Sequence, residues 1–480
     1  MSDGAMTTAV EPDGAPRVAG LDILRGIAIL GILFMNINDM GGSLWASFDD
    51  IRHLGWTQAD QVAWWLREIF ADGTARCMLE MLFGVGMVIL TDRAASALET
   101  SATDPASRIR RIGRALFGEA AVLRGYYWRN FVLFLFGLVH IFILLWPGDI
   151  LHTYGIAAMV AFLFRRCGPK VLLGIGLTLA MLQLIGGGIG LTMAQQARSE
   201  VAQLRAKRDA GQKLTATEIG KVKDQAERAD KRAKKKAEDA TRIAAEDKAR
   251  SDATGTSMSW AKAAWTTIFF LWGFSDGIGD AMFLEWAFVW EAAGTMLIGA
   301  ALFKWGIIQG NRSRSFYQRA TLIAYAIGLT GRAVAAYWET QFDDYPHMIL
   351  ATGEVTRLAT TIGHIGLVYV LLGTVAGTKL LKPFEAAGRT ALTLYILQTI
   401  ICLWILYPPF ALGLYGQQGW MGLMLTALAV NALLLWAANR YLRDYAIAPV
   451  EWAWRSIISG RILPLRRGGR TATGTRPVVA

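Results

Sequence analysis

The sequence predicts an all-α fold: a polytopic bundle of about ten membrane-spanning helices with the N and C termini cytoplasmic. Three observations lead there. Of 480 residues, 54% are hydrophobic and 18% charged, and the mean hydropathy is +0.34, too apolar for a water-soluble chain of this length. The apolar residues fall in blocks long enough to cross a hydrocarbon core, which takes roughly 20 residues of helix. Lys and Arg collect in alternate connections, where topology signals lie.

Apolar windows place spans near 20–40, 73–91, 129–147, 150–167, 170–194, 285–304, 319–338, 361–381, 389–407 and 420–440. Short alternating strands of the β-barrel kind are absent from the pattern. Arg108, Arg110, Arg111, Arg114, Arg124, Arg165, Arg166, Lys170, Arg312, Arg314, Arg319, Lys379, Lys382 and Arg389 then share one side with the tail residues Arg461, Arg466, Arg467 and Arg470. That side is cytoplasmic by the positive-inside rule. The net charge of +11 is thereby a matter of topology, and no nucleic-acid partner is expected.

Five regions follow: a disordered cytoplasmic tail at 1–19, a first transmembrane half at 20–194, a charged helical extracytoplasmic insertion at 195–260, a second half at 261–458 and a basic cytoplasmic tail at 459–480. The first sixteen residues lack the basic start and apolar run of a cleavable signal. Between Arg198 and Asp252 the sequence is dense in Lys, Arg, Asp, Glu and Ala without an apolar stripe, which suits a solvated helix or hairpin that bends near 213–215. The segment 261–284 interrupts its apolar residues with Trp, Gly and Asp, and reads as an interfacial or re-entrant helix rather than an eleventh span. Cys77, Cys167 and Cys402 are too widely spaced for a C-x-x-C motif and read as small buried hydrophobes.

An ionisable side chain inside a span costs at least about 2.5 kcal/mol on lenient scales, so each one marks a candidate site. In the first span Asp22, Arg25 and Asn36 fall on one stripe, because eleven steps of 100° bring Asn36 within about 20° of Arg25. Asp22 and Arg25 also suit an interfacial pair that only holds helices together. In GLVHIFILLWPGDILHTYG at 137–155, Pro147 and Gly148 break the chain between two spans and leave Asp149 placed to cap the next helix. His140 lies about two turns back, so the hairpin can bring it to Asp149 or His152, and an imidazole oriented by a carboxylate is the equipment of a general base. The alternative is a histidine that merely ties neighbouring helices. His53, His140, His152, His347 and His364 all fall in the outer half or outside, and no pair has the i, i+4 spacing of a metal site, so no metal is expected. Tyr154, Gln398, Glu80, Glu291, Arg332 and Tyr395 complete the intramembrane polar set, with Glu291 and Arg332 as candidate partners.

The ordered landmarks LDILRGIAILGILFMNI at 22–38 (led by Leu21), LFGVGM at 82–87, the 137–155 hairpin, EAAGTMLIGAAL at 291–302, GRTALTLYILQTIIC at 388–402 and PVEWAWR at 449–455 carry a resemblance to the YeiB-like family of bacterial membrane proteins, built on a domain of unknown function, DUF418. Leu394 stands where that family often has Asn, and the charged insertion is longer than usual. The resemblance implies a multi-pass protein of the bacterial cytoplasmic (inner) membrane. The first span is also distantly similar to that of heparan-α-glucosaminide acetyltransferase-type enzymes, which pass an acyl group from cytoplasmic acyl-CoA to an acceptor across the membrane. That likeness implies an acyltransferase with acyl-CoA as donor substrate rather than a resident cofactor. Its acceptor would be an envelope glycan or lipid. Asp22, Arg25, Asn36, Tyr154 and Gln398 would bind substrate, arginines between Arg108 and Arg129 would receive the CoA phosphates, and His140 with Asp149, or His53, would act catalytically.

The rival reading is a small-solute transporter or exporter using Asp22, Arg25, His140 and Asp149 as its pathway. A purely structural role would make the charged insertion the working part and the spans its anchor. The charge bias makes one direct prediction. A reporter fused after Ala480 is expected to be active only on the cytoplasmic side, and activity outside the cell would overturn the orientation.

Overall fold

Hydrocarbon offers no partner to a backbone N–H or C=O group, so each apolar run closes into a helix. The computed structural model describes residues 19–100, 108–251, 256–271, 278–342 and 348–466, and within them there is no β-strand, only a bridge between Tyr445 and Arg466. In chain order the helices are α1 Ala19–Gly41, α2 Leu44–Asp49, α3 Gln58–Leu66, α4 Thr74–Thr100, α5 Arg108–Phe142, α6 Leu151–Ala161, α7 Pro169–Asp209 and α8 Ala216–Ser251. They continue as α9 Ser257–Leu271, α10 Ile278–Lys304, α11 Arg314–Glu339, α12 Ile349–Leu372, α13 Val375–Arg389, α14 Ala391–Ile400, α15 Trp420–Asp444 and α16 Pro449–Ser459. Wide π turns follow α3 and α14, at Arg67–Ala71 and Ile401–Leu406.

Seven of the described helical runs are long and apolar enough to cross a membrane: α1, Gln58–Asp92, α7, Glu285–Lys304, α11, α12 and α15. An eighth is obtained if α13 and Ala391–Leu406, bent by 80° to one another, count as one broken span. On this measure the described residues give seven or eight spans where about ten are expected. Of the other two expected spans, 150–167 contains the short apolar run Leu151–Phe164, and 129–147 is the C-terminal part of α5, which ends at Phe142. The span expected at 361–381 is displaced to Ile349–Leu372, because the Thr374 hydroxyl accepts the Gly377 N–H and starts α13 there. The polar residues Glu354, Thr356 and Arg357 hid the N-terminal half of α12 in the sequence. Within 261–284, α9 covers the first part, while 272–277 lie outside the described residues.

Helix α1 is the hub, packed against α4, α13, α14 and α15. Close approach is bought by missing side chains: a Cβ on Gly26 would collide with the Phe384 carbonyl, and one on Gly388 with the Asp22 carbonyl. The α4–α10 contact is built the same way, with Gly84 on the Met296 carbonyl and Gly299 on the Met81 carbonyl.

The charged insertion is a helical hairpin. Helix α7 runs 41 residues out of the apolar region to Asp209, Gly211 turns with φ +75°, and α8 returns. The bend is fixed by a reciprocal cap, in which the Thr215 N–H donates to Glu218 Oε2 at 2.8 Å and the Glu218 N–H donates to Thr215 Oγ1 at 3.3 Å. Most of α8 is exposed, with pairs such as Lys234–Asp230 at 2.8 Å, but its last two turns dock on the bundle. There Ser43 donates to Glu246 Oε2 at 2.5 Å, Thr267 donates to Glu246 Oε1 at 3.2 Å, and Tyr415 donates to Asp247 Oδ1 at 3.2 Å. Arg250, buried, pairs with Glu246 at 3.3 Å and lies over the Trp260 and Tyr415 rings. The insertion thus sits at the same end of the bundle as the α1–α3 connection.

Replacing Arg250 with Ala leaves Glu246 buried beside no guanidinium, which costs about 3–5 kcal/mol. The variant is expected to melt well below wild type in detergent, whereas Lys234→Ala, on the exposed face, should stay within about 0.5 kcal/mol. Equal melting temperatures for the two would refute the docking.

Candidate active site

A cavity of about 780 Å³ lies between α1, α4, α5, α6, α14 and α16. At its exposed end stand Arg25, Arg129, Arg389, Arg455, Arg461 and Arg466, and its walls are apolar, among them Leu82, Phe83, Met87 and Leu133. Ile150, Tyr154 and Tyr395 close the deep end, with both tyrosines fully buried. Arg129 lies over the Trp454 ring with its guanidinium carbon 4.6 Å from the centroid. Glu451, beside it, accepts from the Leu392 N–H at 2.6 Å and the Thr393 N–H at 3.2 Å, satisfying the first turn of α14, and burial pushes its carboxyl up from the usual range.

Behind the two tyrosines, the hairpin of the sequence reading closes as expected. His140 Nδ1 is 2.6 Å from Asp149 Oδ1, and both side chains are wholly buried. Asp149 stands one residue before the α6 N-cap, and its Oδ2 accepts the His152 N–H at 2.9 Å and the His152 ring Nδ1 at 3.0 Å. Tyr395 donates to Asp149 Oδ1 at 3.3 Å and accepts the Ile150 N–H at 3.2 Å. His152 Nε2 reaches Glu285 Oε1 at 3.2 Å, which Thr153 also contacts at 3.1 Å. The connection is tight enough to hold Leu145, a buried non-glycine residue, at φ +66°. Such a conformation costs of order 1 kcal/mol and persists only where the surroundings over-determine it.

With Nδ1 placed to donate to the carboxylate, the other ring nitrogen, Nε2, lies 2.8 Å from Thr399 Oγ1 on α14. Sequence reasoning missed Thr399. The available signal was its spacing, four residues after Tyr395 and hence on the same face of α14.

The second polar centre is ionic. Arg76 pairs with Glu291 at 2.5 Å and with Glu80 at 3.7 Å, and Arg357 pairs with Glu80 at 3.1 Å, Glu291 at 3.0 Å and Glu354 at 2.8 Å. Tyr154 joins this cluster to the cavity, donating to the Arg76 carbonyl at 3.1 Å and Glu80 Oε1 at 3.4 Å. The expected Glu291–Arg332 pairing does not form. Arg332 lies instead 3.7 Å from Glu68 and donates to the Ile69 carbonyl at 3.0 Å, because the π turn at 67–71 presents its carbonyls to α11.

The other expected site residues separate. Arg25 lines the cavity and pairs with Asp22 at 2.8 Å, while Asp22 and Asn36 are not among its lining residues. Asn36 shares the angular position of Arg25 but stands about 16 Å along α1. Gln398 is a helix tie, donating to the Ile29 carbonyl at 3.1 Å and to Asn431 Oδ1 at 3.2 Å. His53 sits apart from the hairpin, with Nδ1 2.7 Å from the Asp50 carbonyl and its ring against Trp420, and burial holds the imidazole below its usual pKa. Of the arginines assigned to CoA phosphates, Arg129 borders the cavity, Arg124 does not, and the side chains of Arg108, Arg110, Arg111 and Arg114 lie outside the described residues, as does His347.

Residues 302–461 match a family model described as protein of unknown function (DUF418). Uncharacterized protein YeiB of Escherichia coli (strain K12) is 26% identical over 453 residues, 92% of this chain and 96% of that protein. The chain is thus similar to YeiB over nearly its whole length and to the DUF418 model over its C-terminal third. Uncharacterized protein YxaH of Bacillus subtilis (strain 168) is 27% identical over 92% of this chain and 94% of its own length. No solved structure matches the chain. The stretch matched to DUF418 includes α14 and α16, and so Tyr395, Thr399, Glu451 and Arg455 from the site.

Arg357 is the hub of the ionic cluster, and its loss would leave three glutamates short of a counter-charge. Arg357→Leu is expected to cost about 3–5 kcal/mol, read as a lowered melting temperature in detergent or failure to accumulate in the membrane. A variant as stable as wild type would show that these carboxyls are neutral.

Proposed function

We propose that this protein is a transmembrane acyltransferase of the bacterial cytoplasmic membrane, taking an acyl group from cytoplasmic acyl-CoA and delivering it to an envelope glycan or lipid. The observation that carries the reading is one cavity with arginines at its exposed end and, at its deep end, the tyrosine that bonds the His140–Asp149 pair. Guanidinium groups suit phosphates, and the apolar walls suit a pantetheine arm and acyl chain. Its volume falls in the roughly 300–1,000 Å³ range of small-molecule sites. The arginine end is also the end that the positive-inside rule makes cytoplasmic, where acyl-CoA is found.

Chemically, with Tyr395 turned aside, a thioester placed at the deep end would meet the imidazole oriented by Asp149, which could take a proton from an attacking hydroxyl or amine and return it to the leaving thiolate. His152 and Glu285 continue the hydrogen-bonded chain away from the cavity and give a proton a second route. A transporter reading draws on the ionic cluster around Arg357, since buried carboxylates and arginines also serve proton-coupled carriers.

With labelled acetyl-CoA and an envelope extract, purified protein in proteoliposomes is expected to transfer label. Asp149→Asn and His140→Ala should lower the rate by about 100-fold or more. Arg389→Ala combined with Arg455→Ala should raise KM for acetyl-CoA but not for acetyl-pantetheine, which lacks the nucleotide phosphates. Absence of transfer by wild type, or full activity in His140→Ala, would reject the reading, and pH-driven solute flux without acyl-CoA would replace it with transport.

A further inference from the structure

Thr399 joins Thr153, Thr295 and Thr393 among the buried threonines that engage a side chain, and it contrasts with three others. Thr360, Thr361 and Thr390 turn their hydroxyls back to the carbonyls of Thr356, Arg357 and Ala386, four residues earlier, which is how a lone hydroxyl is ordinarily satisfied in a membrane helix. The Thr399 hydroxyl is instead 2.8 Å from His140 Nε2, the nitrogen left basic when Nδ1–H is held by Asp149. Hydroxyl, imidazole and carboxylate come from α14, α5 and the α5–α6 connection and stand in the order of an activated nucleophile, its base and the group that orients the base. Directly after Thr399 the helix widens into the π turn Ile401–Leu406, a feature that is rare in helices and frequent at functional sites.

Access from the cavity passes one side chain. Tyr395 lines the cavity, its ring stands edge-on to His140 with centroids 4.8 Å apart, and Thr399 is one turn, about 6 Å, further along α14. A substrate in the cavity would reach the hydroxyl only if that phenol rotated away from His140.

We propose that Thr399 is the acyl carrier of this enzyme: a catalytic nucleophile that holds the acyl group as an ester between donor and acceptor. This rests on the acyltransferase reading. In the first half-reaction Thr399 Oγ attacks the thioester carbonyl, the C–S bond breaks, and the hydroxyl proton passes through His140 Nε2 to the departing CoA thiolate. In the second, a hydroxyl or amine of the acceptor, or water in its absence, attacks the ester carbonyl. Its proton passes through His140 to Thr399 Oγ, which leaves as the free hydroxyl. No oxidant or reductant enters either step. A covalent carrier suits a site whose donor and acceptor approach from opposite faces, because the two need never be bound together.

The test is acid-quenched mass spectrometry of purified protein incubated with acetyl-CoA alone, alongside acceptor transfer assays of wild type, Thr399→Ser and Thr399→Val. Wild type and Thr399→Ser are expected to gain one acetyl group on the peptide bearing residue 399, removable by hydroxylamine. Thr399→Val, nearly isosteric, should gain none and transfer label at least about 100-fold more slowly while eluting and melting like wild type. Label transfer by Thr399→Val at the wild-type rate, or wild-type transfer with no adduct trapped on any time scale, would overturn the carrier and leave the acyltransferase standing. Wild type that neither transfers label nor becomes acetylated would remove both.

Discussion

Asp149 is a carboxylate with no exposed surface in a bundle built for hydrocarbon, and it survives there because three elements supply donors to its two oxygens. His140 comes from α5, His152 from α6 and Tyr395 from α14, so the need to satisfy one buried charge fixes how three helices meet. The hairpin between α5 and α6 must close tightly to bring its own two histidines in, which accounts for the left-handed Leu145. Once those partners are committed, the His140 ring has one orientation. Its remaining nitrogen can face only α14.

The same requirement divides the interior into two compartments. The cavity is bordered by arginines, while the cluster around Arg357 carries two arginines and three glutamates paired within 4 Å. Tyr154 lines the cavity and bonds the ionic cluster, whereas Tyr395 lines it and bonds Asp149. A tyrosine suits such a wall because one end of it is apolar and the other hydrogen-bonds. The apolar cavity therefore ends where hydrogen bonding begins.

The charged hairpin contributes to the bundle through two turns only. Its exposed length is held by its own caps and ion pairs, but Glu246, Asp247 and Arg250 bind Ser43, Thr267, Tyr415 and the Trp260 ring. Its root is thus docked on the bundle. Gly84, Gly299, Gly26 and Gly388 play the converse part inside the bundle, where the absence of a side chain lets backbones touch.

Much of this was legible in the sequence because it depends on local properties. Apolar run length, charge bias, the break at Pro147 and Gly148 and the nine-residue interval from His140 to Asp149 all act within one helix or one turn, and they gave the helical bundle and the first pair of the site. The 3.6-residue period placed Arg25 and Asn36 at one angle, yet only the packing of α5, α6 and α14 decided that Arg25 borders the cavity and Asn36 does not. Gln398, read as a binding residue, bonds the Ile29 carbonyl and Asn431, and Glu291 paired with Arg76 and Arg357 rather than Arg332, since sequence carries no distances between helices. The span limits around 349–390 were misplaced where buried polar residues satisfied by tertiary partners look like loop. Composition and periodicity determined what each segment is. Which buried polar groups meet, and hence Thr399 on His140, was decided by tertiary structure alone, because those partners lie 259 residues apart and only helix packing brings them to 2.8 Å.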